Sequence, residues 1–257
     1  MRFIDTHSHL YSSQFDQDRT KVVENAINVG IDKILLPNIS SKYTKGMNDL
    51  CDEFPDNCFA MMGLHPCDVK TESYEREIQH IEEELSKGKY IAVGEIGLDL
   101  YWDKSTLELQ KKAFIYQIEL AKKIQLPVVI HIRNSFTEAI EIIEKLNNPD
   151  LSGVFHCFTG NFEEAQRIIN LDNFYLGIGG VLTFKNSGLD KTIEKIKINH
   201  LILETDSPYL APTPNRGKRN ESKYLISIAE KLSHIHQISI EEVAKITTAN
   251  AELLFQL

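Results

Sequence analysis

The 257 residues carry 28 Lys and Arg against 37 Asp and Glu, a formal charge of −9, with 42% hydrophobic and 25% charged residues. Those proportions exclude a disordered or fibrous chain, and the length fits one α/β unit or two small domains. The negative balance excludes binding of nucleic acid or anionic membrane through bulk charge, so a protein of this composition that handles phosphate needs another source of positive field.

The chain opens on Met1-Arg-Phe-Ile-Asp-Thr-His-Ser-His9, an acid and two histidines where a secretory signal would need an apolar run. No stretch approaches the roughly 18 apolar residues of a membrane span, so a cytoplasmic protein with no membrane partner is expected. Short apolar runs rich in β-branched residues begin at 3, 33, 58, 90, 127, 153, 174 and 201. Amphipathic segments lie between them, such as Val22, Val23, Ala26 and Ile27 after the first and Phe114, Ile118 and Ala121 after the fourth. Runs that are apolar on both faces and alternate with helices predict a parallel sheet covered on both sides. Eight of them predict an α/β fold closed as one (β/α)₈ TIM barrel over residues 1–257. A doubly wound open sheet is the alternative, but it would carry a glycine-rich first turn, and this one is Thr-His-Ser-His.

Residues 207–220 hold three prolines and three basic residues, Arg216, Lys218 and Arg219. Only about 37 residues follow, too few to fold alone, so the segment reads as a long active-site loop rather than a linker. The four cysteines, Cys51, Cys58, Cys67 and Cys157, include no C-x-x-C pair and are expected to be reduced and mostly buried.

His7 and His9 follow the first strand two residues apart, and a period of two turns both imidazoles to one side, where they can share a cation. Glu95 is read at the end of the fourth strand, His131 the fifth, His156 the sixth and Asp206 the eighth. In a parallel barrel those ends converge on the rim where the βα loops build the site. Two acids there are costly to bury unless paired or metal-bound. His65, in Gly63-Leu-His-Pro66 after the third strand, reads as a substrate-binding residue on the same rim. His80, His200, His234 and His236 fall on predicted helices or caps and read as surface residues. Asp5 is either a support for the two histidines or a core hydrogen-bonding group. Histidine and carboxylate without thiolate suit Zn²⁺, Mn²⁺, Fe²⁺ or Co²⁺. Six ligands exceed the needs of one tetrahedral ion and suit two ions bridged by a carboxylate, a pair fitted to hydrolysis.

Five ordered motifs, Phe3-Ile-Asp-Thr-His-Ser-His9, Gly94-Glu-Ile-Gly-Leu-Asp99, His131-Ile-Arg133, His156-Cys-Phe-Thr-Gly160 and Leu203-Glu-Thr-Asp-Ser-Pro208, resemble the TatD family of metal-dependent deoxyribonucleases in the amidohydrolase superfamily. The likeness spans the chain to its Asn250-Ala-x-x-Leu-Phe255 ending. It implies a TIM barrel with one divalent metal (Zn, Mn or Mg) on His7, His9, Glu95 and Asp206 and a second on Glu95, His131 and His156. Glu95 would bridge where many amidohydrolases carry a carbamylated lysine. The resemblance further implies Asp206 as general base, and Tyr101, Arg133, Arg216 and Asn220 as candidates for binding substrate phosphate. The substrate it implies is DNA, trimmed exonucleolytically from single-stranded ends, by a monomer with no obligate protein partner. One departure is visible: the family's loop reads Arg-Gly-Lys-x-Asn-Glu-Pro, and Ser222 stands here for that proline, which puts the loop's rigidity in question. The motifs do not choose between phosphorus and carbon electrophiles, so an ester or amide hydrolase such as an aminoacyl-tRNA deacylase stays open. So does a metal-dependent binding protein without catalysis, which intact Glu95 and Asp206 argue against.

Overall fold

The chain, described over residues 1–257 by a computed structural model, alternates strand and helix from its third residue onward. In order come β1 (Phe3–Asp5), α1 (Arg19–Asn28), β2 (Ile31–Pro37), α2 (Ser41–Glu53), β3 (Cys58–Met61), α3 (Tyr74–Leu85), β4 (Val93–Asp99) and α4 (Leu107–Ile124). There follow β5 (Val128–Arg133), α5 (Phe136–Leu146), β6 (Gly153–Phe155), α6 (Phe162–Ile169), β7 (Phe174–Ile178), α7 (Leu189–Ile193), β8 (Leu201–Leu203), α8 (Leu225–His236) and α9 (Ile240–Phe255).

All neighbouring strands pair in parallel, in two arcs: β1-β2-β3 and β4 through β8. Backbone contacts close both seams. At one, Met62 bridges Val93 and its N–H donates to the Ala92 carbonyl at 3.1 Å. At the other, Thr6 N–H donates to Leu203 O at 3.1 Å, and Ser8 bridges Ser207 beyond the end of β8. The result is a TIM-barrel-like ring of eight strands, as the eight apolar runs predict.

The period of two along each strand divides the core. Ile4, Leu35, Met61, Ala92, Val129, Val154 and Ile202 form one cluster with Ala251, Leu254 and Phe255 of α9, so the last helix plugs the N-terminal end of the barrel. Their neighbours Phe3, Ile34, Leu36, Val128, Phe155, Leu201 and Leu203 belong to a second cluster of 56 buried residues that packs the strands against the surrounding helices. Polar ties hold the plug: Asn250 Nδ2 donates to the carbonyls of Ile198 and Leu201 at 3.2 and 2.8 Å, and Thr248 Oγ1 donates to that of Arg2 at 2.9 Å.

Two expectations need correction. Glu95 does not end the fourth strand, since β4 runs on to Asp99, and His131 does not end the fifth, since β5 runs on to Arg133. Gly94 and Gly97 interrupt the apolar pattern of β4 and hide its length. Gly97 sits at φ 143°, and a Cβ there would run into the backbone of His131, so the close approach of β4 to β5 requires glycine. Of the cysteines, which form no bridge, only Cys58 is buried; Cys51 and Cys157 are half-buried and Cys67 is exposed. Cys67 lies in the 3₁₀ turn Pro66–Asp68 and lines the cavity at the mouth of the barrel.

Loop 207–220 is pinned despite Ser222. Asn220 Nδ2 donates to the carbonyls of Thr205 and Tyr209 at 2.7 Å each, and Arg219 pairs with Asp18 at 2.7 Å. Ser222 itself is buried, with its hydroxyl 3.3 Å from that of Ser8. Rigidity here comes from side-chain bonds to the segments that follow β1 and β8, so the missing proline is not needed.

Candidate metal centre

The barrel's inward rows change character along their length. Val129 and Val154 belong to the apolar plug layer, and His131 and His156, two residues further on, reach the C-terminal rim. There they meet Glu95, whose side chain is only 3% exposed. Glu95 Oε2 lies 3.2 Å from His7 Nε2 and 3.5 Å from His9 Nε2. Its Oε1 lies 2.9 Å from His131 Nδ1, 2.9 Å from His156 Nε2 and 3.3 Å from His65 Nε2. The carboxylate thus turns one oxygen to each of two sets of imidazoles. Asp206 Oδ1 joins the first set, 3.9 Å from His7 Nε2 and 3.5 Å from His9 Nε2. The rings of His7 and His156 stack at 3.8 Å and tie the sets together.

The hydrogen-bond network fixes which ring nitrogens are bare. Tyr11 donates its hydroxyl proton to Pro37 O, so at 2.8 Å it accepts from His9 Nδ1–H and leaves His9 Nε2 a lone pair. Asp99 Oδ2 accepts from His131 Nε2–H at 3.0 Å, which bares His131 Nδ1 towards Glu95. The Glu204 carboxylate stands 3.4 Å from His156 Nδ1 and favours a proton there, with Nε2 bare. His65 is the opposite case. Its Nδ1 accepts the Cys67 N–H at 3.1 Å, so neutral His65 points an Nε2–H donor, not a lone pair, at the cluster.

Lone pairs of His9, His131 and His156 therefore face carboxylate oxygens at 2.9–3.5 Å inside a buried site. Such an apposition of acceptors needs a cation or protons between them, and the donor set of imidazoles and carboxylates without thiolate fits divalent cations. The groups His7-His9-Glu95 and His7-His156-Asp206 each bring their ligand atoms within 4.8 Å of one another. Electrostatics keep the acids ionised. With protons rather than a cation between these groups, burial pushes the Glu95 carboxyl up, but the charges of His65, His156 and His7 and a hydrogen bond from protonated His131 hold it well below the usual range. Asp206 is likewise pushed up by burial and brought below its ordinary value by the His9 hydrogen bond and the charges of His156 and His7. Asp99, opposed by burial, is brought to about 2 by its bond to His131.

A family model for TatD-related DNases matches residues 4–256. The chain belongs to the TatD family. Among its relatives, the metal-dependent hydrolase YabD of Bacillus subtilis is 37% identical over 254 residues, 98% of each chain. A Rahnella protein named 3'-5' ssDNA/RNA exonuclease TatD is 33% identical over 255 residues, 97% of this chain and 96% of that one. The crystal structure of YJJV, a TatD homologue from Escherichia coli, superposes with a TM-score of 0.90 at 28% identity, covering 100% of this chain and 98% of that one. This member of the TatD family is accordingly a metal-dependent hydrolase.

Above the histidine cluster opens a cavity of about 670 Å³, lined by His9, Glu95, His131, His156 and Asp206 with Tyr43, His65, Trp102, Arg133 and Tyr209. Of the residues that sequence proposes for substrate binding, His65 and Arg133 line this cavity. Tyr101 does not line the cavity; its ring carries the Arg133 guanidinium at 3.6 Å. Arg216 is also outside, exposed and stacked on Phe184 at 3.5 Å. The expectation that Asn220 binds substrate is corrected: it is fully buried, and its amide is committed to Thr205, Tyr209 and Glu221 backbone groups. Asp5 is the core tie rather than a support for the ligand rings, accepting from Thr205 N–H and Oγ1 at 2.8 and 2.7 Å.

Sequence reasoning missed Tyr11, Asp99, Glu204 and Trp102. The first three stand two residues from His9, at the end of the glycine-flanked fourth motif strand, and two residues before Asp206. A period of two carried past the ligands would have found Tyr11 and Glu204. For Trp102 the only signal was its being the single tryptophan.

Proposed function

We propose that residues 1–257 form one nuclease domain that hydrolyses phosphodiester bonds at single-stranded DNA ends with two divalent cations. His7, His9, Glu95 and Asp206 would hold one, and Glu95, His131 and His156 the other. The observation that carries this reading is the division of Glu95, one oxygen to each imidazole set. The name of the Rahnella relative, at 33% identity, supports nucleic acid as substrate. Zn²⁺ and Mn²⁺ match the nitrogen-rich donor set best, with Mg²⁺ the third candidate. Four unbridged cysteines suit the reducing cytoplasm as the working compartment.

When bound, divalent cations at such a centre lower the pKa of water and draw charge from a phosphoryl oxygen. The protein's own groups do the rest. Asp206, ionised and 13% exposed at the cavity floor, receives the proton of the attacking water on a carboxylate oxygen. His65 presents Nε2–H to a non-bridging phosphate oxygen, and Arg133, steadied on Tyr101, neutralises the phosphate on the chain's side of the break. Attack forms one P–O bond and breaks another, and the proton taken by Asp206 passes to the departing oxygen, which leaves a new phosphate and a hydroxyl end.

The test is incubation of the purified protein with end-labelled single-stranded oligonucleotides and Mg²⁺, Mn²⁺ or Zn²⁺, beside Asp206→Ala and His131→Ala. A metal-dependent ladder that both substitutions abolish is expected, with two ions per chain by elemental analysis. No ladder with any metal, or a ladder that survives both substitutions, rejects nucleolysis. Turnover of aminoacyl-tRNA with intact oligonucleotides would move the same centre to ester hydrolysis.

A further inference from the structure

Exposed aromatic surface is costly in water, and this chain concentrates it in one place. Its exposed aromatic side chains are Tyr101, Trp102, Tyr116 and Tyr209. Tyr116 lies on α4 and bonds to Glu82. The other three stand on loops at the mouth of the barrel. Trp102 is 71% exposed and Tyr209 50% exposed, and both line the cavity over the metal cluster. They arrive from the loops after β4 and β8, which lie four strands apart in a ring of eight and so on opposite sides of the opening.

Both rings sit on fixed backbone. Asp99 holds His131 through Oδ2, and through Oδ1 it accepts the N–H groups of Tyr101 and Trp102 at 2.9 and 3.4 Å. A single carboxylate thus sets the tryptophan's turn in register with a candidate ligand of the metal. Tyr101 packs edge-to-face on Trp102 at 4.9 Å, and the Arg133 guanidinium covers the free face of this pair's tyrosine. Across the opening, Tyr209 N–H donates to Asp206 O at 2.8 Å, its carbonyl accepts from Asn220, and its ring meets that of His9 at 6.2 Å.

We infer that Trp102 and Tyr209 are the two jaws of a nucleobase clamp, each stacking on an unpaired base on either side of the phosphate presented to Glu95 and Asp206. The inference rests on the nucleic-acid reading above and adds how the strand is held. A chain of charge −9 cannot rely on a basic groove, whereas stacking on aromatic rings is insensitive to net charge and to base identity. Each jaw takes one base, so the ligand is a short single strand, and paired bases are excluded because their faces are already stacked.

The experiment uses the full-length, metal-loaded protein and 5'-fluorescein strands with phosphorothioate linkages that resist cleavage. One strand carries thymine bases; the other has the same length and charge with abasic sites throughout. Affinity is read by anisotropy, and the unlabelled strands are titrated against intrinsic fluorescence, for which Trp102 is the sole tryptophan. The thymine strand is expected to quench that fluorescence and to bind at least tenfold more tightly than the abasic one. Trp102→Ala and Tyr209→Ala should each weaken thymine binding about fivefold to a hundredfold without changing abasic binding, and Trp102→Phe should restore most of the loss. Unchanged melting temperatures identify these as surface effects. Equal affinity for the two strands, or Trp102→Ala binding like the wild type, overturns the clamp. If the wild type still degrades ordinary oligonucleotides in that case, the nuclease reading stands without it. Neither binding nor degradation of any strand overturns both.

Discussion

The hydroxyl of Tyr11 sits 2.8 Å from Nδ1 of His9 and spends its own proton on the Pro37 carbonyl. It therefore acts on His9 purely as an acceptor, and fixes the tautomer that leaves Nε2 bare. Partners of this kind behind a ligand contribute about tenfold to a hundredfold in metal affinity. Tyr11→Phe keeps the buried ring and removes only the oxygen, so a loss of that size is expected in competition titrations against a chromogenic chelator, with the fold intact by circular dichroism. Wild-type affinity in Tyr11→Phe would show that the hydroxyl does not orient the imidazole.

Asp206 is assigned two duties, ligand and proton acceptor, and one substitution separates them. Asp206→Asn retains an oxygen that can ligate but cannot take a proton at neutral pH. The expected outcome is a fall in kcat of about 10²–10⁴-fold with KM within a few-fold and metal content near that of the wild type. If ions disappear in proportion to activity, the carboxylate is a ligand only.

The gathering of His7, His9, Glu95, His131, His156 and Asp206 was readable because strand periodicity and barrel closure bring side chains from β1, β4, β5, β6 and β8 and the residues just beyond them to one rim whatever the loops do. The same logic located all eight strands but misjudged β4, since Gly94 and Gly97 contribute no apolar side chain and their role appears only in the approach of β4 to β5. Substrate residues were read less well, for a physical reason. Whether Asn220 faces solvent or clamps its own loop depends on carbonyls of Thr205 and Tyr209 that only the folded loop brings within reach. The pairing of Asp99 with His131 spans 32 residues and is equally invisible to local pattern.

The plug formed by α9 predicts where stability and chemistry part company. Phe255, 2% exposed, belongs to the apolar cluster at the barrel's N-terminal end, which includes none of the rim residues. Phe255→Ala should destabilise the protein by about 3–5 kcal/mol, the cost of lost transfer energy plus the cavity left behind. In urea this reads as a lower midpoint at an unchanged slope. Metal affinity of the folded fraction should stay at the wild-type value. A parallel loss of metal affinity would mean that the two ends of the barrel are coupled through its interior.

Glu84, far from the rim on α3, supplies a pH signature that the metal centre does not disturb. Burial pushes its carboxyl up, yet the hydrogen bonds from Lys87 and Tyr90 together bring it below the ordinary value of 4.5. A folded value lower than the unfolded one means that the unfolded chain binds more protons as the solution is acidified. The contribution is therefore complete above about pH 4.5 and is lost as pH falls through the folded value. Glu84→Gln cannot titrate and retains only the neutral bonds. The stability gap between wild type and Glu84→Gln, from urea midpoints, should be constant from about pH 7 to pH 5 and should close below pH 4.5. A gap that holds its size, or widens, towards acid would show that the Lys87 and Tyr90 bonds stabilise the neutral carboxyl as well as the charged one.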